Sequence, residues 1–124
     1  MRPVRILDAE SCEVEFVSLR GVGGTVAFTF DAPLPAGVTP LWEVCTGTAR
    51  TPCTPALTFA PSAVAPAPTL ALDAGRTVAT AALSEATTAG LAVGTYAHRF
   101  TLFDAAGQCV GRPLFGPWRH EAAR

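Results

Sequence analysis

Apolar and polar side chains alternate with a period of two along most of this chain, and proline and glycine break the alternation every few residues. In Gly24–Phe30, Val26, Phe28 and Phe30 fall on one side and Thr25 and Thr29 on the other. Successive side chains of an extended strand point to opposite faces, so this pattern predicts a half-buried strand. Pro33, Pro35 and Gly37 then end it, because two prolines and a glycine cannot continue a hydrogen-bonded ladder.

The same reading predicts strands in Val4–Asp8, Glu13–Ser18 and Leu41–Cys45, where Trp42 and Val44 face one way and Trp42 is assigned to the core. Shorter runs follow at Leu57–Phe59 and Leu70–Leu72, and a longer one at Gly75–Leu83. Thr46–Pro55 and Ala60–Pro68, rich in Pro, Ala and Thr, read as extended surface loops. Ser84–Leu91 reads as a single helical turn, capped by Ser84 and ended by Gly90. The clearest strand is Tyr96–Phe103, with Tyr96, His98, Phe100 and Leu102 on one face and Ala97, Arg99, Thr101 and Phe103 on the other. Asp104–Gly107 is a compact turn, and Gln108–Leu114 returns as the partner strand of a hairpin. Phe115–Arg124 reads as a short edge strand running into a mobile tail. The sum is an all-β chain of about seven to nine short antiparallel strands with one helical turn near 84–91, arranged as a sandwich or small barrel.

At 124 residues the chain supports a single domain, 1–124, with an arm at 1–8 and a tail at 115–124. Only 15% of the residues are charged. Such a surface either exposes apolar area to a partner or replaces charge with Ala, Thr, Gly and Pro, and composition leaves both readings open. The net charge is −1, every basic residue is arginine, and no basic run occurs, which argues against nucleic-acid binding. No apolar run approaches the roughly 18 residues of a membrane span, and the apolar stretch near Met1 is too short for a signal peptide. The expectation is a soluble product made in the cytoplasm. Cys12, Cys45, Cys53 and Cys109 lack zinc-site spacing and by default behave as small buried hydrophobes. Cys45 and Cys53 are close enough in sequence to bridge a hairpin base in an oxidising medium.

Catalytic chemistry finds little support. Of the two histidines, His98 lies mid-strand among Tyr96, Phe100 and Leu102, where a core or interface role is expected, and His120 lies in the expected tail. There is no Gly-x-Ser-x-Gly elbow, phosphate loop or metal-ligand cluster. Gly21–Gly24 precedes a strand and reads as a turn, and Glu13 and Glu15 read as solvated carboxylates. The chain is therefore expected to be non-enzymatic, without a cofactor or metal.

From Gly24 to Trp118 the order of features resembles the immunoglobulin-like domains of tailed-bacteriophage virion proteins, of the capsid-decoration and upper-baseplate N-terminal type. The residues that carry the resemblance are Val78–Leu83, then Ser84-Glu-Ala-Thr-Thr, then Gly94-Thr-Tyr96, Phe100–Gly107 and Val110–Gly116. The clear part covers about the last third of the chain; the cysteines and long Pro/Ala loops depart from the pattern. The resemblance implies an immunoglobulin-like β-sandwich that holds other virion proteins, foremost the major capsid protein, as a capsid decoration protein. It implies a place in the virion after synthesis in the host cytoplasm. A homo-oligomer is compatible with it. The alternatives are a tail or baseplate adaptor and a cellular immunoglobulin-like binding module. Because Trp and Arg are favoured interface anchors, Arg2, Pro3 and Arg5 in the N-terminal arm and Phe115, Trp118 and Arg119 in the C-terminal one are the candidate partner-binding residues. For Trp118 the competing reading is that it folds back over its own core.

Overall fold

A computed structural model describes residues 2–6, 12–46, 54–61 and 67–122, with the side chains of residues 2–6 and 12 outside the description. Among the described residues the chain forms two sheets and one short helix. The first sheet has the order β1 (Arg2–Ile6), β4 (Gly24–Phe30), β8 (Val78–Leu83), β7 (Thr69–Leu72). The second runs β2 (Cys12–Glu13), β10 (Cys109–Glu121), β9 (Gly94–Phe103), β5 (Thr39–Thr46), β6 (Thr54–Phe59). The remaining strand, β3 (Phe16–Leu19), lies beside β10 and pairs with it in parallel. The expected strands recur as ten segments because the N-terminal run splits into short pieces that serve both sheets. Two of those pieces, β1 on β4 and β3 on β10, run parallel rather than antiparallel.

The alternation read from the sequence places the core. Phe28, Trp42, Val44, Phe59, Leu70, Ala79, Phe100 and Leu114 all project between the sheets and are buried. Their rings interlock edge-on and tilted: Trp42 lies 4.8 Å from Phe28 and 4.7 Å from Phe59, and Phe28 lies 4.7 Å from Phe100. Aromatic pairs in such arrangements add stability beyond the area they bury.

The helix α1 (Glu85–Gly90) starts as its sequence requires, with the Ser84 side chain accepting the Thr87 N–H at 3.2 Å. In the β9–β10 hairpin, Asp104 Oδ1 accepts the N–H groups of Ala106 and Gln108, both at 2.9 Å, and Gly107 takes a φ of 80°. A side-chain carboxylate thus fixes this turn, and glycine supplies the left-handed residue at no steric cost. Arg76 clamps another turn. Its guanidinium donates to the carbonyls of Leu34 at 3.1 Å, Pro35 at 3.0 Å and Val38 at 2.5 Å, closing the β4–β5 connection onto the β7–β8 turn.

Three expectations are corrected. Residues 115–121 do not leave the body as a tail: β10 continues unbroken to Glu121, paired with β9 on one side and with β2 and β3 on the other. Within this strand Gly116 allows close approach of a neighbouring backbone. A Cβ at Gly116 would stand 2.5 Å from the Val14 carbonyl oxygen, and its φ is +144°. Cys45 is the second. It is disulfide-bonded rather than a free thiol, at the point where the β5–β6 ladder closes after a register shift beyond Val44. Cys53, the sequence-derived candidate for its partner, lies outside the described residues. Cys109 is free but exposed, not buried.

Candidate binding face

The inner side of the six-stranded sheet holds two polar relays that position the strands. Trp42 Nε1–H donates to His98 Nδ1 at 3.1 Å, and because an indole N–H can only donate, His98 Nδ1 must be the acceptor. That leaves His98 Nε2–H to donate to the Val14 carbonyl at 2.6 Å. Burial pushes the His98 pKa below its usual value, against a smaller opposing effect of the Val14 carbonyl. In the second relay, Trp118 Nε1–H donates to Ser18 Oγ at 2.7 Å, Ser18 donates to His120 Nδ1 at 2.7 Å, and His120 Nε2–H donates to the Thr88 carbonyl at 2.9 Å. Among the described residues no buried side-chain nitrogen or oxygen lacks a partner. Both histidines are thereby committed to holding the β2–β3 link at Val14, β3 and α1 against β9 and β10. Neither faces solvent with a free lone pair, as a general base requires.

The outer side of the same sheet is different. Strand register sets three neighbouring rows there: Leu41 beside Thr101, Glu43 beside Arg99 and Phe115, and Cys45 beside Ala97 and Pro117. Leu41, Ala97, Phe115 and Pro117 are partly exposed. At the centre the Arg99 guanidinium meets the Glu43 carboxylate at 3.0 Å. Irregular register between Gly111 and Leu114 turns Arg112 onto this side, where its Nε–H donates to Thr101 Oγ1 at 3.2 Å. Bulges commonly re-aim a side chain in this way. The result is a patch of four partly exposed apolar side chains, Leu41, Ala97, Phe115 and Pro117, beside an Arg99–Glu43 pair, with Glu43, Cys45 and Thr101 themselves buried. Such a surface can be covered by another protein without stranding a buried charge.

The residues singled out from the sequence divide. Phe115 lies on this outer face, next to Arg99. Arg119 follows on the same side of β10 and is exposed, ion-paired with Glu15 at 2.9 Å and Glu121 at 3.2 Å. Trp118 points the opposite way. It is only 3% exposed, with its ring 5.0 Å from Trp42, and serves the core rather than a partner. The cause is strand parity: positions 114, 116, 118 and 120 face inward, and 115, 117, 119 and 121 face outward. Arg2, Pro3 and Arg5 fall in β1, at the edge of the four-stranded sheet, in register with Val26, Ala27 and Thr29. They are brought to no common site with Phe115. Leu41, Ala97, Arg99 and Pro117 were not singled out. The alternation of Tyr96–Phe103 already separated Ala97 and Arg99 from the core set, but only the register shows that they adjoin Phe115.

No protein-family model matches the chain, and no curated protein does. Matching solved structures include the natural killer cell receptor Nkp44, described as a triggering partner in natural cytotoxicity, with a TM-score of 0.55 at 15% identity. The match covers 89% of this chain and 99% of that one. At that identity the likeness concerns the fold alone. The strand orders agree with the immunoglobulin plan, which sets a four-stranded sheet against a larger one and buries a Trp on a central strand. Tyr96 also forms the tyrosine corner of that plan, its hydroxyl donating to the Ala92 carbonyl at 2.6 Å. Two residues further on, where antibody domains carry the second inter-sheet cysteine, stands His98. The chain is an immunoglobulin-like, all-β sandwich.

Proposed function

We propose that this protein is a non-enzymatic binding module that docks on another protein through the outer face of its six-stranded sheet, and that its partner is a virion lattice, the major capsid protein first. The observation that carries the docking reading is the cluster of Leu41, Ala97, Phe115 and Pro117 around the paired Arg99–Glu43. The virion assignment rests on the sequence resemblance of Val78–Gly116. The disulfide at Cys45 supports a working life in an oxidising medium, as on the outside of a released particle. Many copies on a symmetric lattice raise the avidity of a modest contact.

The test is quantitative mass spectrometry of purified virions, read as the ratio of this chain to the major capsid protein. A ratio within a few-fold of one supports capsid decoration. A ratio far below one assigns the chain to the tail or baseplate. Absence from virions overturns the virion reading and leaves a cellular immunoglobulin-like module, for which the disulfide implies an extracytoplasmic setting.

A further inference from the structure

We infer that β3 is the seam of a two-fold dimer, in which β3 of one copy pairs antiparallel with β3 of a second copy and joins their six-stranded sheets into one. The edge of a sheet exposes backbone hydrogen-bonding groups, and natural proteins protect such edges with proline, charge or a covering segment. Elsewhere in this fold the edges are defended. β1 and β6 carry Pro3 and Pro55. On β7 the Leu70 N–H is taken by the Ala60 carbonyl at 3.3 Å. β3, Phe-Val-Ser-Leu, has neither proline nor charge, and among the described residues its strand partner is β10 alone.

The backbone of β3 fits this role. Val14 N–H bonds to the Phe115 carbonyl at 2.9 Å and Arg20 N–H to the Glu121 carbonyl at 2.8 Å, so residues of even number turn their backbone groups to β10. Successive residues of a strand alternate in that direction, which leaves the N–H and C=O of Val17 and the N–H of Leu19 facing away from the sheet. Antiparallel pairing about a two-fold axis at Val17 satisfies them. Val17 then exchanges both hydrogen bonds with the partner's Val17, and Leu19 comes opposite the partner's Glu15. No like charges meet, because the Glu15 carboxylate is paired with Arg119 at 2.9 Å. The Val17 side chain, 41% exposed on the outer side of the sheet, packs on its own twin. That match selects a second copy as the occupant, since a two-fold axis sets the exposed valine against itself. Phe16 and Ser18 keep their places inside their own sandwich. An edge contact of this length buries less than the roughly 1,000 Å² of a stable interface, so dimerisation is weak and depends on concentration. It is independent of what the outer docking face binds.

The test is sedimentation-velocity ultracentrifugation of the intact chain from about 10 µM to 1 mM, the range in which so small a contact associates. The wild type is expected to pass from monomer to dimer across it. Val17→Pro removes an N–H that β10 does not use and is expected to associate at least tenfold more weakly. If that variant does not fold, Val17→Lys sets like charges opposite each other on an unaltered backbone and makes the same test. In a Cys109→Ser background, Val17→Cys is expected to form a covalent dimer when oxidised with copper phenanthroline. Residues directly opposite in such a hydrogen-bonded pair have Cα atoms about 5.5 Å apart, within disulfide reach. The inference is overturned if the wild type stays monomeric to the top of the range, if folded Val17→Pro or Val17→Lys dimerises as the wild type does, or if Val17→Cys does not crosslink. Loss of the dimer in Phe115→Glu with Val17→Lys unaffected would also overturn it, by assigning association to the outer face.

Discussion

Acid should weaken this fold through one identifiable group. His98 is 2% exposed, and its Nδ1 lone pair is held by Trp42 Nε1–H. Protonation would set two N–H donors against each other, and the ring neighbours Phe16, Trp42 and Trp118 offer no compensating charge. Burial therefore lowers the pKa of His98 in the folded chain below the 6.5 of a free histidine. With the folded pKa depressed, the unfolded chain binds the proton first as pH falls. The His98 contribution is intact above the unfolded pKa and declines below it, until His98 itself titrates in the folded state. While His98 stays neutral in the folded state, the decline between pH 7.5 and 5.5 is at most about 1.4 kcal/mol. The assay is urea unfolding of wild type and His98→Gln across that range. The glutamine carbonyl can accept from Trp42 and its amide can donate to Val14, without a titrating proton. The difference between the two profiles isolates His98 from every other titrating group, and it should narrow as pH falls. Parallel profiles would refute the reasoning, because His98 would then titrate alike in the folded and unfolded chain.

Three further perturbations have defined outcomes. Gly116→Ala forces a Cβ against the Val14 carbonyl in a strained backbone region and should cost about 2–4 kcal/mol, read as a lowered urea midpoint. Ser18→Ala leaves the Trp118 N–H without its acceptor and His120 Nδ1 without its donor; a loss of about 2 kcal/mol is expected, with altered tryptophan emission reporting the site. Arg76→Ala removes the guanidinium from the Leu34, Pro35 and Val38 carbonyls and should cost about 2 kcal/mol, with faster amide exchange in the β4–β5 connection.

Much of this fold could be read from residue order because period two is a direct consequence of strand geometry. Val26, Phe28 and Phe30, and His98 and Phe100, face inward as the pattern requires; Ser84 caps its helix; and Asp104 and Gly107 build the hairpin turn. The alternation failed as a guide where a long-range approach outweighed a local signal. Phe115–Arg124 reads as a short edge strand running into a tail, but the chain at Val14 passes against Gly116 and the strand runs on to Glu121. With that continuation recognised, parity alone assigns Trp118 and His120 to the interior. The parallel pairings of β1 and β3 carry no local signature, since each joins segments far apart in sequence. The outer face was legible only in part: Phe115 was singled out, while its neighbours Ala97 and Arg99 come from another strand whose register the sequence does not state.

The docking face is tested most directly by cosedimentation with capsids stripped of this chain, comparing wild type, Phe115→Glu and Val93→Glu. Val93 is 50% exposed and lies in the turn before β9, away from the outer rows, so its variant controls for added charge. The account predicts saturable binding by wild type and Val93→Glu and at least tenfold weaker binding by folded Phe115→Glu. Undiminished binding by Phe115→Glu, or no binding by wild type, would contradict it.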